Sequence, residues 1–132
     1  MKAISLLRAS AALAGLFVSL IGAGCGKANE DGLPVASTPD QAASGLEQTF
    51  AEAPPAVRED AMAVSEALRK REYEKAVVSL HSVQKAPGIS LQQGVAVHNS
   101  SILLESELIK AIERGDPKAK AAYELLKRTR RN

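Results

Sequence analysis

The chain has 132 residues, and its first 26 carry only two charged side chains, Lys2 and Arg8, whereas all 15 Asp and Glu lie beyond Cys25. From Cys25 onward the chain has about 108 residues and a formal charge of zero, which allows one small domain. Aromatic residues make up 3% and Trp is absent, which nearly excludes stacking platforms for single-stranded nucleic acid or sugars. The single cysteine excludes an internal disulfide framework and a thiolate-cage zinc site.

The N-terminal segment has the three parts of a secretory signal. Lys2 and Arg8 form a basic start, and the 18 residues from Ala9 to Gly26 are uncharged, with an apolar centre at 13–21. Small residues at 22–24 then lead into Cys25. This order is typical of an export signal and not of a folded domain, so we predict that the remainder of the chain lies outside the cytoplasm.

The sequence Ile21-Gly22-Ala23-Gly24-Cys25 resembles the lipobox of bacterial lipoproteins. In that family the cysteine is lipidated and becomes the first mature residue, so the resemblance implies a signal peptide over residues 1–24 and a membrane anchor through lipid on Cys25. Gly22 departs from the family pattern, in which Leu or another aliphatic residue is usual. Residues 26 and 27 are Gly and Lys and not Asp, which in this family favours the outer membrane, facing the periplasm, over the inner membrane.

Two other interpretations of this segment stay open. Cleavage by the ordinary signal peptidase after Ala28 would place small residues at the required positions and would leave a secreted soluble protein. Retention as a membrane span is the second, since 18 uncharged residues are at the short limit for crossing a bilayer. All three interpretations export residues 30–132.

Residues 25–37 are predicted to comprise the lipidated cysteine and a flexible tether, and residues 38–132 a helical domain. The tether has almost nothing large and apolar, so it cannot bury enough surface to offset the entropy of ordering. The run Thr38-Pro39-Asp40-Gln41 then predicts a helix start, with a capping Thr, Pro at the first helical position and Gln at the capping-box position. Pro54-Pro55 ends this first helix.

Residues 55–85 are predicted to form a helical hairpin and not one long helix. Two apolar stripes follow each other here, and at about 100° per residue they are offset by roughly 110°. One straight helix cannot direct both stripes into one core, whereas a turn near Lys70-Arg71 can. The stripes are Val57, Ala61, Val64 and Leu68, followed by Tyr73, Ala76, Val77, Leu80 and Val83.

A central helix is predicted from the capping box at Ser90 to about Arg114. Apolar residues cover roughly half its circumference, which is typical of a helix packed on more than one side. Gly115 ends it, and Asp116-Pro117 starts a last helix. No stretch has a strand period, so we predict an all-α bundle of about five helices built from helical hairpins. The main stripe of the central helix is Leu91, Val95, Ile102, Ile109 and Ile112, widened by Val97, Leu104, Leu108 and Ala111.

Residues 67–80 resemble the middle of a tetratricopeptide repeat. In that family a tight turn between paired helices is followed by an aromatic and then a small residue, matched here by Tyr73 and Ala76. Arg71 stands where the family prefers Gly, and a second such turn at 113–116 comes about 44 residues later, where the family spacing is 34. The resemblance implies paired helices and, because such repeats bind proteins in concave grooves, a binding module.

The sequence indicates no catalytic residue, no metal site and no cofactor. His98, Ser101 and Glu105 together suggest a hydrolase, but Glu105 lies about 10 Å along the helix from His98, and no nucleophile turn is present. We predict a hydrogen-bonded core histidine at His98 and a partly buried structural histidine at His81. Two isolated histidines make a poor metal site.

The C-terminal end is strongly basic, since residues 118–131 have a net charge of +5, whereas residues 26–66 have −6. Positive charge stabilises a helix C-terminus, and a basic end can also bind acidic lipid headgroups or an acidic partner. Nucleic acid is not expected beside an export signal. The candidate contacts are Lys118, Lys127, Arg128, Arg130 and Arg131.

Together these features favour a non-enzymatic, lipid-anchored protein of the cell envelope that acts as a structural module or binds an unidentified envelope protein or itself. The oligomeric state is left undetermined by the sequence. A small carrier for an apolar ligand is the alternative, and it predicts a cavity among Leu80, Val95, Ile102 and Ile109. A secreted, soluble helical protein of unknown role is a second alternative.

Overall fold

The computed structural model describes residues 35–131, so the predicted signal peptide, Cys25 and most of the predicted tether lie outside the described residues. Within this range the chain forms helices and no strand, which confirms the all-α class. No helix in the described range has the length and hydropathy needed to cross a bilayer. The helices are α1 (Pro39–Thr49), α2 (Pro55–Lys70), α3 (Tyr73–Lys85), α4 (Leu91–Glu113) and α5 (Pro117–Thr129).

Side-chain caps set the first residues of α1 and α4. Thr38 Oγ1 accepts a hydrogen bond from the Gln41 N–H at 3.2 Å, while the Gln41 side chain accepts from the Ser37 N–H at 2.9 Å. At α4 the box between Ser90 and Gln93 is complete in both directions, at 2.9 and 3.2 Å. These bonds pair amide groups that a first helical turn leaves without partners. The predicted starts of both helices are therefore confirmed.

The α2–α3 turn confirms the predicted hairpin. Arg71 closes α2 in the left-handed conformation, with φ 56° and ψ 34°. The Glu72 N–H donates to the Ala67 carbonyl at 2.9 Å, so a carbonyl at the end of α2 gains a partner. Gly115 has the same role between α4 and α5, with φ 83°. Only glycine adopts this conformation without steric cost, which makes Arg71 an unusual residue at its position.

The helices enclose one core, and α4 packs on more than one side, as predicted. It packs against α1, α3 and α5, while α3 likewise packs against three helices, α2, α4 and α5. The largest fully buried side chains come from every helix except α5, together with the residue that ends α1. Each such aliphatic or aromatic side chain contributes about 1.5–3 kcal/mol through burial. They include Leu46, Phe50, Val64, Leu80, Leu104 and Leu108.

Small residues bring α1 and α2 close together. Ala43, Ala61 and Ser65 are all fully buried at this contact. The Ser65 hydroxyl lies 3.1 Å from the carbonyl of Ala43 on α1 and 3.0 Å from that of Ala61 on its own helix. Among the described residues every buried side-chain N or O has a hydrogen-bond partner, so this polar group enters the core without leaving its hydroxyl unpaired.

The orientation of α4 corrects the sequence analysis. Three members of the stripe predicted as its main buried face are turned outward: Leu91 is 86% exposed, Ile102 48% and Ile109 42%. The other two, Val95 and Ile112, are half-buried. The prediction of a core histidine at His98 is also wrong, because this side chain is exposed. The buried arc is the second one, Val97, Leu104, Leu108 and Ala111, joined by Leu103 and by two serines.

Ser100 and Ser101 explain this orientation. Ser100 donates to the carbonyl of Ala96, one turn earlier in α4, at 2.8 Å, so its hydroxyl is satisfied within the helix. Ser101 is 5% exposed and lies 3.5 Å from the guanidinium of Arg130, the residue that follows α5. Because serine is small, this arc lets the neighbouring helices approach more closely than an arc of isoleucines would. A hydrophobic count alone treats these serines as surface residues.

Candidate functional site

The outward side of α4 carries a continuous row of residues, which we call the α4 face: Leu91, Val95, His98, Ile102, Glu105 and Ile109. They are spaced alternately by four and three residues, the repeat that holds one side of a helix against a partner helix in coiled coils. The row is about 27 Å long at 1.5 Å per residue. Single exposed apolar residues are ordinary on a protein surface, whereas large contiguous apolar patches are typical of interaction surfaces.

The two polar members of the α4 face differ in their surroundings. His98 is exposed, whereas the side chain of Glu105 is 29% exposed and its Oε2 lies 2.8 Å from Nη2 of Arg130. This ion pair joins α4 to α5 and holds the carboxylate at the edge of the row. Exposed pairs of this kind contribute at most about 1 kcal/mol to stability. Ser101 and Glu105 therefore share Arg130 as a partner, which is not the arrangement of a hydrolase triad.

The candidate basic residues lie at the two ends of α5, with Lys118 at its start and Lys127, Arg128, Arg130 and Arg131 at or just after its end. Lys118 is in the first turn of α5, about 15 Å along the helix from Arg128. Lys127 lies 2.7 Å from Glu124 and 5.1 Å from the centre of the Tyr123 ring. Its hydrogen bond holds the pKa of Glu124 below the ordinary value.

Arg130 and Arg131, which follow α5, also have different surroundings. Arg130 is engaged by Glu105, while Arg131 is exposed at the end of the described chain. The basic end is thus a helix surface on which part of the charge is paired within the protein.

The cavity predicted for an apolar-ligand carrier does not form. Leu80 is 1% exposed in the core, whereas Ile102 and Ile109 face solvent, so these side chains cannot line one cavity. Val95 instead borders a groove of about 200 Å³ between α1 and α4, together with Ala36, Gly45 and polar residues of both helices. Pockets for small organic ligands are usually about 300–1,000 Å³ and mostly apolar.

A second depression, of about 610 Å³, lies where the α2–α3 turn meets the start of α5. Its lining is charged, with both signs represented. Lys70 and Lys75 lie 2.6 and 3.9 Å from the carboxylate of Glu66, and Lys75 lies 3.5 Å from Glu72. Charges compensated in this way are typical of a solvated surface.

The histidines and acidic residues do not assemble into a metal site in the part of the chain that the structure describes. His81 is half-buried on α3, as expected for a structural side chain. Cys25, the predicted lipidation site, is outside the described range. The surface that sequence reasoning missed is the α4 face, although its four-three spacing is visible in the sequence.

Comparison with protein-family models, with curated proteins and with solved structures finds no match to this chain. In the described range the fold defines a small all-α domain of five helices with exposed apolar residues along α4. Its function has to be inferred from that surface and from the N-terminal sequence.

Proposed function

We propose that this protein is a non-enzymatic, lipid-anchored protein of the cell envelope whose helical domain binds another protein through the α4 face. The exposed apolar row on α4 is the observation that carries the proposal. Leu91, Ile102 and Ile109 are each more than 40% exposed, although they belong to a helix whose opposite side is fully packed. Covering apolar surface is favourable by about 25 cal/mol per Å².

The surroundings of the row support a protein partner. Polar residues border it, among them Gln92 and Lys110, which are exposed, and Asn99, which is half-buried. An apolar centre with a polar rim is the usual composition of a protein–protein interface. A lipid surface would instead favour cations along the border, and Lys110 there lies 3.0 Å from Glu107.

The predicted tether would hold this surface near a membrane. Ala36, just before α1, borders the same groove as Val95 and Asn99, so the chain coming from Cys25 enters the domain beside the α4 face. The 13 residues between Cys25 and α1 span at most about 45 Å when extended. The partner is therefore expected in the same membrane or within that distance of it.

Site-specific photo-crosslinking in cells tests the interaction. A photoreactive amino acid at Ile102 or Ile109 should give an adduct of defined mass with a protein of the envelope fraction. Val78 is the matched control, because it is 54% exposed on α3 and apolar but lies outside the α4 face. Equal labelling from Ile102 and Val78 would contradict a specific partner at the α4 face.

Mass spectrometry of the mature N-terminus tests the anchor. We expect cleavage before Cys25 and the added mass of lipid on its thiol. Cys25→Ser should then move the protein from the membrane to the soluble fraction. A mature chain that begins at Asn29 would support the secreted alternative instead.

A further inference from the structure

We infer that the partner at the α4 face is a second copy of this chain, with the two α4 helices packed antiparallel about a two-fold axis at Ile102. The inference rests on the proposed function, since it uses the same surface. It follows from the order of residues along the row, which is complementary to itself when one copy is reversed.

The apolar residues match in this register. With Ile102 on the axis, it packs against Ile102 of the second copy. Val95, seven residues earlier, comes opposite Ile109, seven residues later. Leu91 comes opposite Glu113 at the end of α4, next to Ile112, which is half-buried against the core. Val95, Ile102 and Ile109 of one copy therefore each meet an apolar position of the other, as a two-fold symmetric interface requires.

The polar residues fix the orientation. His98 lies four residues before Ile102 and Glu105 three residues after it, so the antiparallel register places each imidazole opposite the carboxylate of the other copy. An imidazole N–H can donate to a carboxylate in both protonation states of histidine. A parallel pair would place Glu105 against Glu105, which opposes like charges.

Contacts within the chain prepare Glu105 for this role. Its Oε2 is held by Arg130 at 2.8 Å, so the carboxylate keeps one position on the surface before any partner arrives. His98, exposed on the neighbouring turn of the row, needs no rearrangement of the core to reach it. Preorganised groups of this kind lose less conformational entropy on binding.

The area of the α4 face sets the expected affinity between two copies. A strip about 27 Å long and about 10 Å wide, from the dimensions of a helix, covers roughly 270 Å² on each copy. Standard interfaces bury about 800 Å² per partner, so association between free copies is expected to be weak. Copies tethered in one membrane have a higher effective concentration, and the test is therefore made in membranes.

Disulfide crosslinking of the full chain in envelope membranes tests the inference. Ile102→Cys should give a covalent dimer on mild oxidation, because the two residues meet at the axis. Coexpressed Val95→Cys and Ile109→Cys chains should crosslink to each other, while Val95→Cys alone should not, since its two copies lie about 21 Å apart along the helices. The unsubstituted chain measures any background from Cys25, and Val78→Cys is the surface control.

Charge variants test the pairing of His98. His98→Glu should reduce the Ile102→Cys dimer about tenfold or more, because it places two acidic groups together at each end of the contact. His98→Lys should retain the dimer. Both substitutions are at an exposed position, so an unchanged thermal unfolding midpoint shows that the fold is intact.

The possible outcomes separate this inference from the proposed function. Ile102→Cys crosslinking no greater than that of Val78→Cys refutes the second copy, and crosslinking of Val95 to itself refutes the antiparallel register. A photo-adduct from Ile102 to a different protein refutes the dimer but leaves the interaction module standing. An adduct from Ile102 to residues 1–34 of the same chain refutes both the dimer and the interaction module.

Discussion

Replacing Arg71 with glycine is expected to stabilise the domain. Arg71 has φ 56° and ψ 34°, a conformation that costs a residue with a Cβ about 1–2 kcal/mol. Glycine avoids this cost but loses about 0.5–1 kcal/mol more backbone entropy on folding. The Arg71 side chain is exposed, so its removal disturbs no core contact. The net gain should be about 0.5–1 kcal/mol, or roughly 2–8 °C in the unfolding midpoint.

Thermal and denaturant unfolding followed by circular dichroism measure this effect, and Arg71→Ala is the matched control. Alanine removes the same side chain while keeping the Cβ in the left-handed conformation, so it should be less stable than the glycine variant by the same 0.5–1 kcal/mol. If Arg71→Ala equals or exceeds Arg71→Gly in stability, the strain argument is wrong. That result would mean that the turn does not hold the left-handed conformation in solution.

Three other substitutions probe separate contacts. Arg69 donates to Glu47 with two nitrogens, and this contact lowers the pKa of Glu47 below the ordinary 4.5. The ion pair therefore stabilises the fold above that pH, and its contribution is lost as the pH falls through the folded-state pKa of Glu47. Arg69→Gln should cost under about 1 kcal/mol at neutral pH, and a cost unchanged in strong acid would contradict the pairing. Ser65→Leu should destabilise by about 1–3 kcal/mol, seen in urea unfolding, because the α1–α2 contact has no room for it. Asp116→Ala removes the carboxylate that caps α5 at 2.9 Å and should cost about 1 kcal/mol, whereas Asp116→Asn should keep most of that stability.

The helix boundaries were predictable because their causes are local. Thr38, Ser90 and Asp116 cap helices through atoms two or three residues away, and proline and glycine set the turns. The hairpin at Arg71 was predicted from the change in phase between two apolar stripes. Such signals depend on the backbone near one residue and not on the rest of the fold.

The α4 face was not predictable in the same way. Both arcs of α4 are apolar enough to enter a core, and the choice depends on which arc fits its three neighbouring helices. Ser100 and Ser101 read as polar in sequence, yet they are buried because their hydroxyls have partners on α4 and α5. The hydrophobic pattern predicts His98 in the core for the same reason. In the structure His98 lies with Ile102 on the exposed side of α4. Local patterns carry no information about that competition.

The position of α1 determines how the domain would respond to mechanical force. The predicted tether joins the chain at α1, which packs only against α2 and α4 among its substantial helix contacts. Gly45 lies in the middle of this 11-residue helix, where a Cβ would meet nothing within 4 Å, and glycine weakens a helix interior by about 0.5–1 kcal/mol. Tension from a moving membrane would thus reach α1 first. Its detachment would expose Leu46 and Phe50 while α2 to α5 kept their mutual contacts. Force on the tether would therefore act on α1 before it reached the rest of the domain.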